Sequence, residues 1–300
     1  MISNSTGIIT VANGHRRYLT LATDLALSVH KHTSLPISLL IEPAWGDFRR
    51  TRYARFFDQI IDLPTDAMPC NFAKLHTADL TPYELTLYFD ADVILTSHVG
   101  RAFAAILADP TGYVLNGGYH APTDSLDHNG IKISAICEKF GLPRYLKSNA
   151  GVMGFRKQPG IAIQAAAREQ QQSHPKLFDD TPQLKYDDEI YLGIIADRFS
   201  LGSFRSTKPL HWLMQDIERE GLNGKGVHAI GWSHYSYNWL MNELVALRRS
   251  AKLPLFVAQW NWSRKLFPQD NYLEILWRIA LTHIWRNLAL PLDLQRMFWW

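Results

Sequence analysis

Apolar and polar positions switch between two periods along the first hundred residues. The run "GIITVA", residues 7–12, is short, rich in β-branched residues and bounded by Asn13-Gly14, and it reads as a strand. "YLTLATDLALSVHKH" then places Leu21, Leu25 and Val29 on one helical face and ends in Lys31 and His32, which suit a helix C-terminus. "ISLLIE" and "QIIDL" read as the second and third strands, with a short helix around Arg49 to Phe57 between them. "NFAKLHTADL" reads as a helix stopped by Pro82 ahead of the strand "LTLYF". This alternation predicts an α/β fold with a parallel-type sheet covered by helices. Farther on, "GYVLNGGYHAP" and "NAGVMGFR" read as strands on either side of the helix-like "KISAICEKFG". Residues 162–174 form a polar, Gln-rich helical stretch, and "DDEIYLGIIADRF" is a further helix. With no repeat, low-complexity linker or clear break before about residue 245, the chain is expected to divide into a domain over 1–245 and a helical appendage over 246–300.

Composition narrows the class. In 300 residues, 47% hydrophobic and 20% charged, the chain has the balance of a folded α/β protein and not that of a disordered one. A formal charge of +3 is too small to indicate a nucleic-acid partner. Cys70 and Cys137 form no ligand cluster and no disulfide framework. No signal-like start and no membrane-length apolar run is present, so a cytoplasmic location is expected.

The charge is unevenly spread. From Arg248 to Trp300 eight Lys or Arg stand against three acids, and eight of the ten tryptophans follow residue 230. "YLEILWRIALTHIWRNLALPL" puts Leu273, Leu276, Trp277, Ala280, Leu281, Ile284, Trp285 and Leu288 on one helical side. Basic residues interleaved with aromatics suit an interfacial helix at an anionic membrane. Helices packed on the rest of the chain, or an oligomer contact through 250–300, fit the same pattern.

The candidate chemistry centres on "TLYFDADVILTS". Asp90 and Asp92 follow an apolar strand, at the sheet edge where open α/β folds bind ligands. Residues two apart in an extended segment share a face, so both carboxylates can reach one cation, and hard oxygen ligands favour Mg²⁺ or Mn²⁺. Such an ion would neutralise a diphosphate leaving group. A helix cap beside a solvated acid would account for the tripeptide equally well.

The wider context "KLHTADLTPYELTLYFDADVIL" resembles the segment around the Asp-x-Asp motif of GT-A-fold glycosyltransferases, especially family 8. In the same chain order, "SNAGVMGFR" resembles that family's donor-sugar strand, "YDDEIYL" its Asp-Gln-Asp helix start beside the reacting carbon, and "VHAIG" its His-x-x-Gly. The resemblance covers roughly residues 7–235. It implies a GT-A-type Rossmann-like mixed sheet flanked by helices, with a helical C-terminal appendage. It also implies a hexosyltransferase using a nucleotide-diphosphate sugar, a UDP-sugar by analogy, and a sugar or lipid-linked glycan acceptor. Asp90, Asp92 and His228 would hold Mn²⁺ or Mg²⁺. Ala12, Asn13 and Gly14 would meet the nucleotide base; Lys74 would face the ribose or phosphates. Ala91, Asn149, Ala150, Gly151, Gly231 and His234 would complete the donor site, and Asp187, Asp188 and Glu189 would lie at the reacting centre. Bottom-up alternatives stay open: His228 as a hydrogen-bonded core residue, Lys74 as an exposed helix lysine, and the acidic trio as a charged helix N-terminus.

Two positions depart from the family pattern. His234 stands where a phosphate-binding lysine is usual and the following Pro-Trp is missing, so Lys208 or Lys225 would have to substitute. Asp187-Asp188-Glu189 replaces Asp-Gln-Asp, which bears on stereochemistry. Retention needs no strong protein base, whereas inversion would need Asp188 or Glu189 across the ring; the resemblance favours retention. Other readings of "LYFDADV" are a haloacid-dehalogenase-type phosphatase with Asp90 as nucleophile and Asp92 as acid/base, and a non-catalytic sugar-binding protein. A phosphatase would carry that motif on its first strand. Sugar nucleotidyltransferases share the fold, but "VANGHRR" is a poor version of their opening loop.

Overall fold

The computed structural model describes residues 5–65, 70–174, 187–204, 210–211, 226–228, 234–267 and 269–288. In chain order its strands are β1 (Thr6–Ala12), β2 (Ile37–Ile41), β3 (Gln59–Asp62), β4 (Leu85–Phe89), β5 (Val93–Ile94), β6 (Tyr113–His120), β7 (Asp127–His128), β8 (Ile131–Lys132), β9 (Tyr145–Arg156), β10 (Gly202–Ser203), β11 (Leu210–His211) and β12 (Gly226–His228). The helices are α1 (Arg17–His32), α2 (Thr77–Leu80), α3 (Gly100–Ala108), α4 (Ile133–Phe140), α5 (Lys157–Ser173), α6 (Asp188–Phe199), α7 (His234–Ser250), α8 (Phe256–Leu266) and α9 (Tyr272–Leu288). The chain forms two compact units: Met1–Arg16 with Leu35–Asp90 and Val99–Pro209, and Arg17–Ser34 with Ala91–His98 and Leu210–Trp300.

The first unit is a seven-stranded sheet in the order β10-β6-β9-β4-β1-β2-β3, with α3, α4, α5 and α6 against β9. β1 and β2 are buried at every position, as continuous apolar runs must be when both faces of a parallel strand are covered. β1 pairs in parallel with both β2 and β4, whereas β9 runs antiparallel to β4 and β6, so the sheet is mixed. The strand order reverses direction at β1, which puts Ala12 and the end of β4 at a topological switch point, where crevices open at strand C-termini.

The α/β class, the mixed sheet and the helical C-terminal part agree with the sequence reading; local details differ. "NFAKLHTADL" is a 3₁₀ segment, Cys70–His76, followed by the single turn α2, with a break at His76 (φ −101°, ψ 0°). Phe72, Ala73, Leu75 and Ala78 are all buried, so packing on several sides sets its course and no single 3.6-residue stripe does. The expected helix around Arg49 to Phe57 consists of two 3₁₀ pieces, Pro43–Arg50 and Ala54–Phe56.

In the second unit, β5, β11 and β12 form a small sheet, and α1 packs on α7 and α8. Its polar key is Asp24, fully buried on α1. The carboxylate accepts Arg248 Nε at 2.6 Å and Trp262 Nε1 at 2.9 Å, and both partners are fully buried. Arg248 Nη1 also donates to the Pro254 carbonyl at 2.8 Å. On α9, Ile275 and Ile279 are buried, whereas Leu273 and Trp277 are 75% and 62% exposed. Among the described residues no helix is long and apolar enough to cross a membrane.

Removing one partner of a buried ion pair strands the other's charge. Asp24→Ala is therefore expected to lower stability in urea unfolding by roughly 3–5 kcal/mol, and Asp24→Ala combined with Arg248→Met to lie closer to the wild type.

Candidate active site

In the first unit, four distant pieces of chain meet beyond the end of β4. Lys74, on the 3₁₀ segment, is only 5% exposed. Its Nζ lies 3.3 Å from Asp90 Oδ1 and 3.3 Å from Asp188 Oδ2, and 5.9 Å from the centre of the Tyr88 ring. The Tyr88 hydroxyl donates to the same Asp90 oxygen. An ammonium this deep needs such anions, because burial alone would strip it of its proton. Against that burial, Asp188 and Asp90 together hold Lys74 protonated, well above the ordinary lysine value.

The strand β9 joins the cluster through an irregularity. Its pairing with β6 jumps from Leu115↔Met153 to Asn116↔Asn149, which leaves Ala150 to Val152 out of the ladder on that side. The liberated Ala150 N–H donates to Glu189 Oε1 at 2.9 Å, and the Gly151 carbonyl accepts the Asp90 N–H at 2.9 Å. Asn149 Oδ1 closes the bulge on the Gly151 N–H at 3.0 Å. The segment expected to line a donor sugar is thus bonded both to the first aspartate and to the acidic helix start.

The three acids at the start of α6 have separate tasks. Asp187 is the N-cap: Oδ1 accepts the Glu189 and Ile190 N–H groups at 3.0 and 3.2 Å, and Oδ2 accepts Asn129 Nδ2 at 2.7 Å. Asp188 is fully buried against Lys74, and burial pushes its carboxyl well above the ordinary value despite the ammonium. Burial, with Glu189 beside it, also raises Asp187. For Glu189 burial acts upward too, but the His128 hydrogen bond and the Lys74 charge outweigh it and hold this carboxylate below its ordinary value.

His128 and Asn129 escaped the sequence reading. They belong to the hairpin β7–β8, turned by Asn129 (φ 51°) and Gly130 (φ 86°), where an Asn-Gly pair suits two left-handed residues in succession. His128 bridges its two neighbours, with Nε2 3.3 Å from Glu189 Oε2 and Nδ1 2.6 Å from the Tyr145 hydroxyl. Tyr145 passes close under α6 because residue 193 is glycine; a Cβ there would sit 2.5 Å from the tyrosine ring.

The remaining candidates lie as follows. Ala12 is buried at the end of β1, Asn13 is half-buried, and Gly14 (φ 75°) donates its N–H to Glu42. In the second unit Ala91 is buried, and Asp92 Oδ2 lies 3.1 Å from Lys265 Nζ of α8. β12 pairs antiparallel with β5 and sets the His228 backbone opposite Val93, the neighbour of Asp92 in the chain. The side chains of His228 and His234 lie outside the described residues, as do Gly231, Lys208 and Lys225. Among the described residues no three His, Cys, Asp or Glu side chains gather as a metal cluster.

No family model matches the chain, and no curated protein matches its sequence. Among solved structures it is similar to the glycosyltransferase GlyE of Streptococcus pneumoniae TIGR4, at 16% identity over 83% of this chain and 65% of that one, with a TM-score of 0.49. The apo form of GlyE gives 17% identity over 83% and 63%, with a TM-score of 0.47. The galactosyltransferase LgtC, solved with donor and acceptor sugar analogues, gives 14% identity over 81% of this chain and 95% of that one, with a TM-score of 0.49. The chain spans slightly less than two thirds of the length of GlyE.

Lys74→Met removes the cation between Asp90 and Asp188 and is expected to cost about 3–5 kcal/mol at neutral pH. Asp188, already raised by burial, rises further without the ammonium that lowers it. A carboxyl whose folded pKa exceeds its unfolded value binds more protons when folded, so it stabilises at low pH and loses that stability as pH rises through the folded value. In urea unfolding the gap between variant and wild type should therefore narrow from about pH 8 to about pH 5, and a gap independent of pH would contradict the assignment.

Proposed function

We propose that this protein is a metal-dependent glycosyltransferase that moves a hexosyl group, with retention, from a UDP-sugar to a sugar or lipid-linked glycan acceptor. The observation that carries this reading is the convergence of Lys74, Asp90, Ala150 and Glu189. They come from four separated stretches, each singled out by the same family resemblance, and the Lys74–Asp90, Asp90–Gly151 and Ala150–Glu189 bonds link those stretches at the end of β4. Convergence beside a switch point is where a donor is expected in this class of sheet.

Asp90, Asp92 and His228 are the proposed ligands of Mn²⁺ or Mg²⁺. Their chemistry fits: two hard carboxylates and an imidazole are ordinary partners of such ions. When bound, the cation would neutralise the diphosphate leaving group. On the protein side, backbone groups of Ala12, Asn13 and Gly14 hold the base, and the bulge Asn149 to Gly151 holds the donor sugar. Retention is favoured because the three acids of α6 are committed within the protein. Asp187 caps the helix, Asp188 is sealed against Lys74, and Glu189 accepts from Ala150 and His128. An inverting base must instead be open to the acceptor hydroxyl. In this reading the acceptor is met at the inner face of a membrane, which the basic, Trp-rich C-terminal segment and the exposed Leu273 and Trp277 support.

A panel of nucleotide sugars with Mn²⁺ tests the activity. One donor is expected to be hydrolysed or transferred, and Asp92→Asn to lose about 10²-fold or more in kcat/KM. Turnover of no donor, or an equally active variant, would overturn the reading, and phosphate release from a simple phosphoester would point to the phosphatase. For the membrane contact, Leu273→Glu with Trp277→Glu should reduce co-sedimentation with anionic vesicles; unchanged binding would end that part of the proposal.

A further inference from the structure

We infer that the β7–β8 hairpin positions Glu189: His128 and Asn129 hold its carboxylate on the Ala150 N–H and so set the β9 bulge proposed to contact the donor sugar. The inference rests on the proposed function only for what the bulge binds. Every group in it belongs to the first unit. The two oxygens of Glu189 are bonded to different parts of the chain. Oε1 accepts the Ala150 N–H at 2.9 Å, and Oε2 lies 3.3 Å from His128 Nε2 and 3.4 Å from Asn129 Nδ2. Asn129 Nδ2 also donates to Asp187 Oδ2 at 2.7 Å, so the hairpin tip is tied to the start of the helix that carries Glu189.

A glutamate side chain turns about several torsions, and a single hydrogen bond leaves it free to choose among rotamers. Here the second oxygen is held from a fixed base. His128 is 2% exposed, its Nδ1 lies 2.6 Å from the hydroxyl of the fully buried Tyr145, and Lys147 Nζ fastens the hairpin to β9 by donating to the Asp127 carbonyl at 2.6 Å. Held below its ordinary value, Glu189 is ionised and can only accept, so its bond with the imidazole is donated by Nε2. Other charges act on the same carboxylate. Asp187 and Asp188 repel it from within the helix start, and Lys74 attracts it from the 3₁₀ segment. With the Nε2 donor gone, the Lys74 ammonium, placed between Asp90 and Asp188, pulls against the longer Asn129 contact alone, and the Ala150 N–H loses its fixed acceptor. An apolar side chain would fill the same space as His128, but only a donor at Nε2 holds the carboxylate. His128 is thus a positioning residue that acts on the bulge through Glu189.

Hydrogen exchange of the Ala150 amide, followed by NMR in the full chain, reads the hold directly, and steady-state kinetics with the donor that the wild type turns over read its consequence. His128→Leu is expected to speed Ala150 exchange about tenfold, as loss of a hydrogen bond to a charged group allows, while the amides of β1 and β2 keep their rates. It should lower kcat about tenfold with KM within about twofold, because the bulge orients the sugar and the nucleotide supplies most of the affinity. His128→Gln, which puts an amide donor in the place of Nε2, should recover most of both losses. His128→Asn, whose amide stops short of Glu189, should behave as His128→Leu does and stands in for it if the apolar variant does not fold; thermal unfolding settles which variants are folded. Ala150 exchange as slow in the folded variant as in the wild type, no recovery in His128→Gln, or an unchanged kcat would overturn the inference, and turnover by the wild type would in each case leave the proposed function standing. Turnover of no donor by the wild type would overturn the proposed function, and the exchange rates would still decide whether the hairpin holds the bulge.

Discussion

An ammonium group removed from water must be met by negative charge inside the protein, and Lys74 is the point from which the first unit's site is organised. Two carboxylates meet it at equal distance, Asp90 from the end of β4 and Asp188 from the first residue of α6. Fixing both fixes more than an ion pair. The Asp90 N–H is bound to the β9 bulge, the bulge reaches Glu189, and Glu189 leads to His128 and the β7–β8 hairpin. Each link is a hydrogen bond whose donor or acceptor would otherwise be buried unsatisfied, so the network resists piecemeal change.

The same constraint acts independently in the second unit. Asp24 interrupts the apolar side of α1, a placement that costs several kcal/mol unless compensated. Arg248 and Trp262 supply the compensation from α7 and α8, which makes the C-terminal helices partners of α1 in that unit. A buried ion pair of this kind contributes little net stability against an apolar replacement, and its directional bonds constrain which helix faces which. The Lys265–Asp92 pair, at 3.1 Å, follows the same logic.

How far the sequence was legible depended on whether the determining interaction was local. β1, β2 and β4 could be read because central strands need continuous apolar runs, and α6 because its N-cap and first turn are contiguous acids. Asp90 was legible as a strand-end acid. The hairpin carrying His128 was not: its Asn-Gly turn was visible, but its strands are two residues each, too short to show alternation. α3 lacks a side-chain N-cap, so no local signal marks its start. The partners of Asp24, Lys74 and Asp92 lie far along the chain, and Arg248 is 224 residues from Asp24, a separation that no local pattern encodes.

The acidic helix start shows what this nonlocal packing does to chemistry. Three adjacent carboxyls would titrate much alike in an unfolded chain. In the fold, burial drives Asp188 and Asp187 upward, while His128 and Lys74 hold Glu189 down, so that neighbours in sequence become a reluctant anion, a helix cap and a persistent anion. Separating the pKa values of adjacent acids separates their roles. Glu189 is the member that keeps its charge, and it does so beside the Ala150 bulge proposed to hold the sugar. Under the function proposed above, a fixed negative charge there would suit a sugar carbon that becomes electron-poor as its leaving group departs.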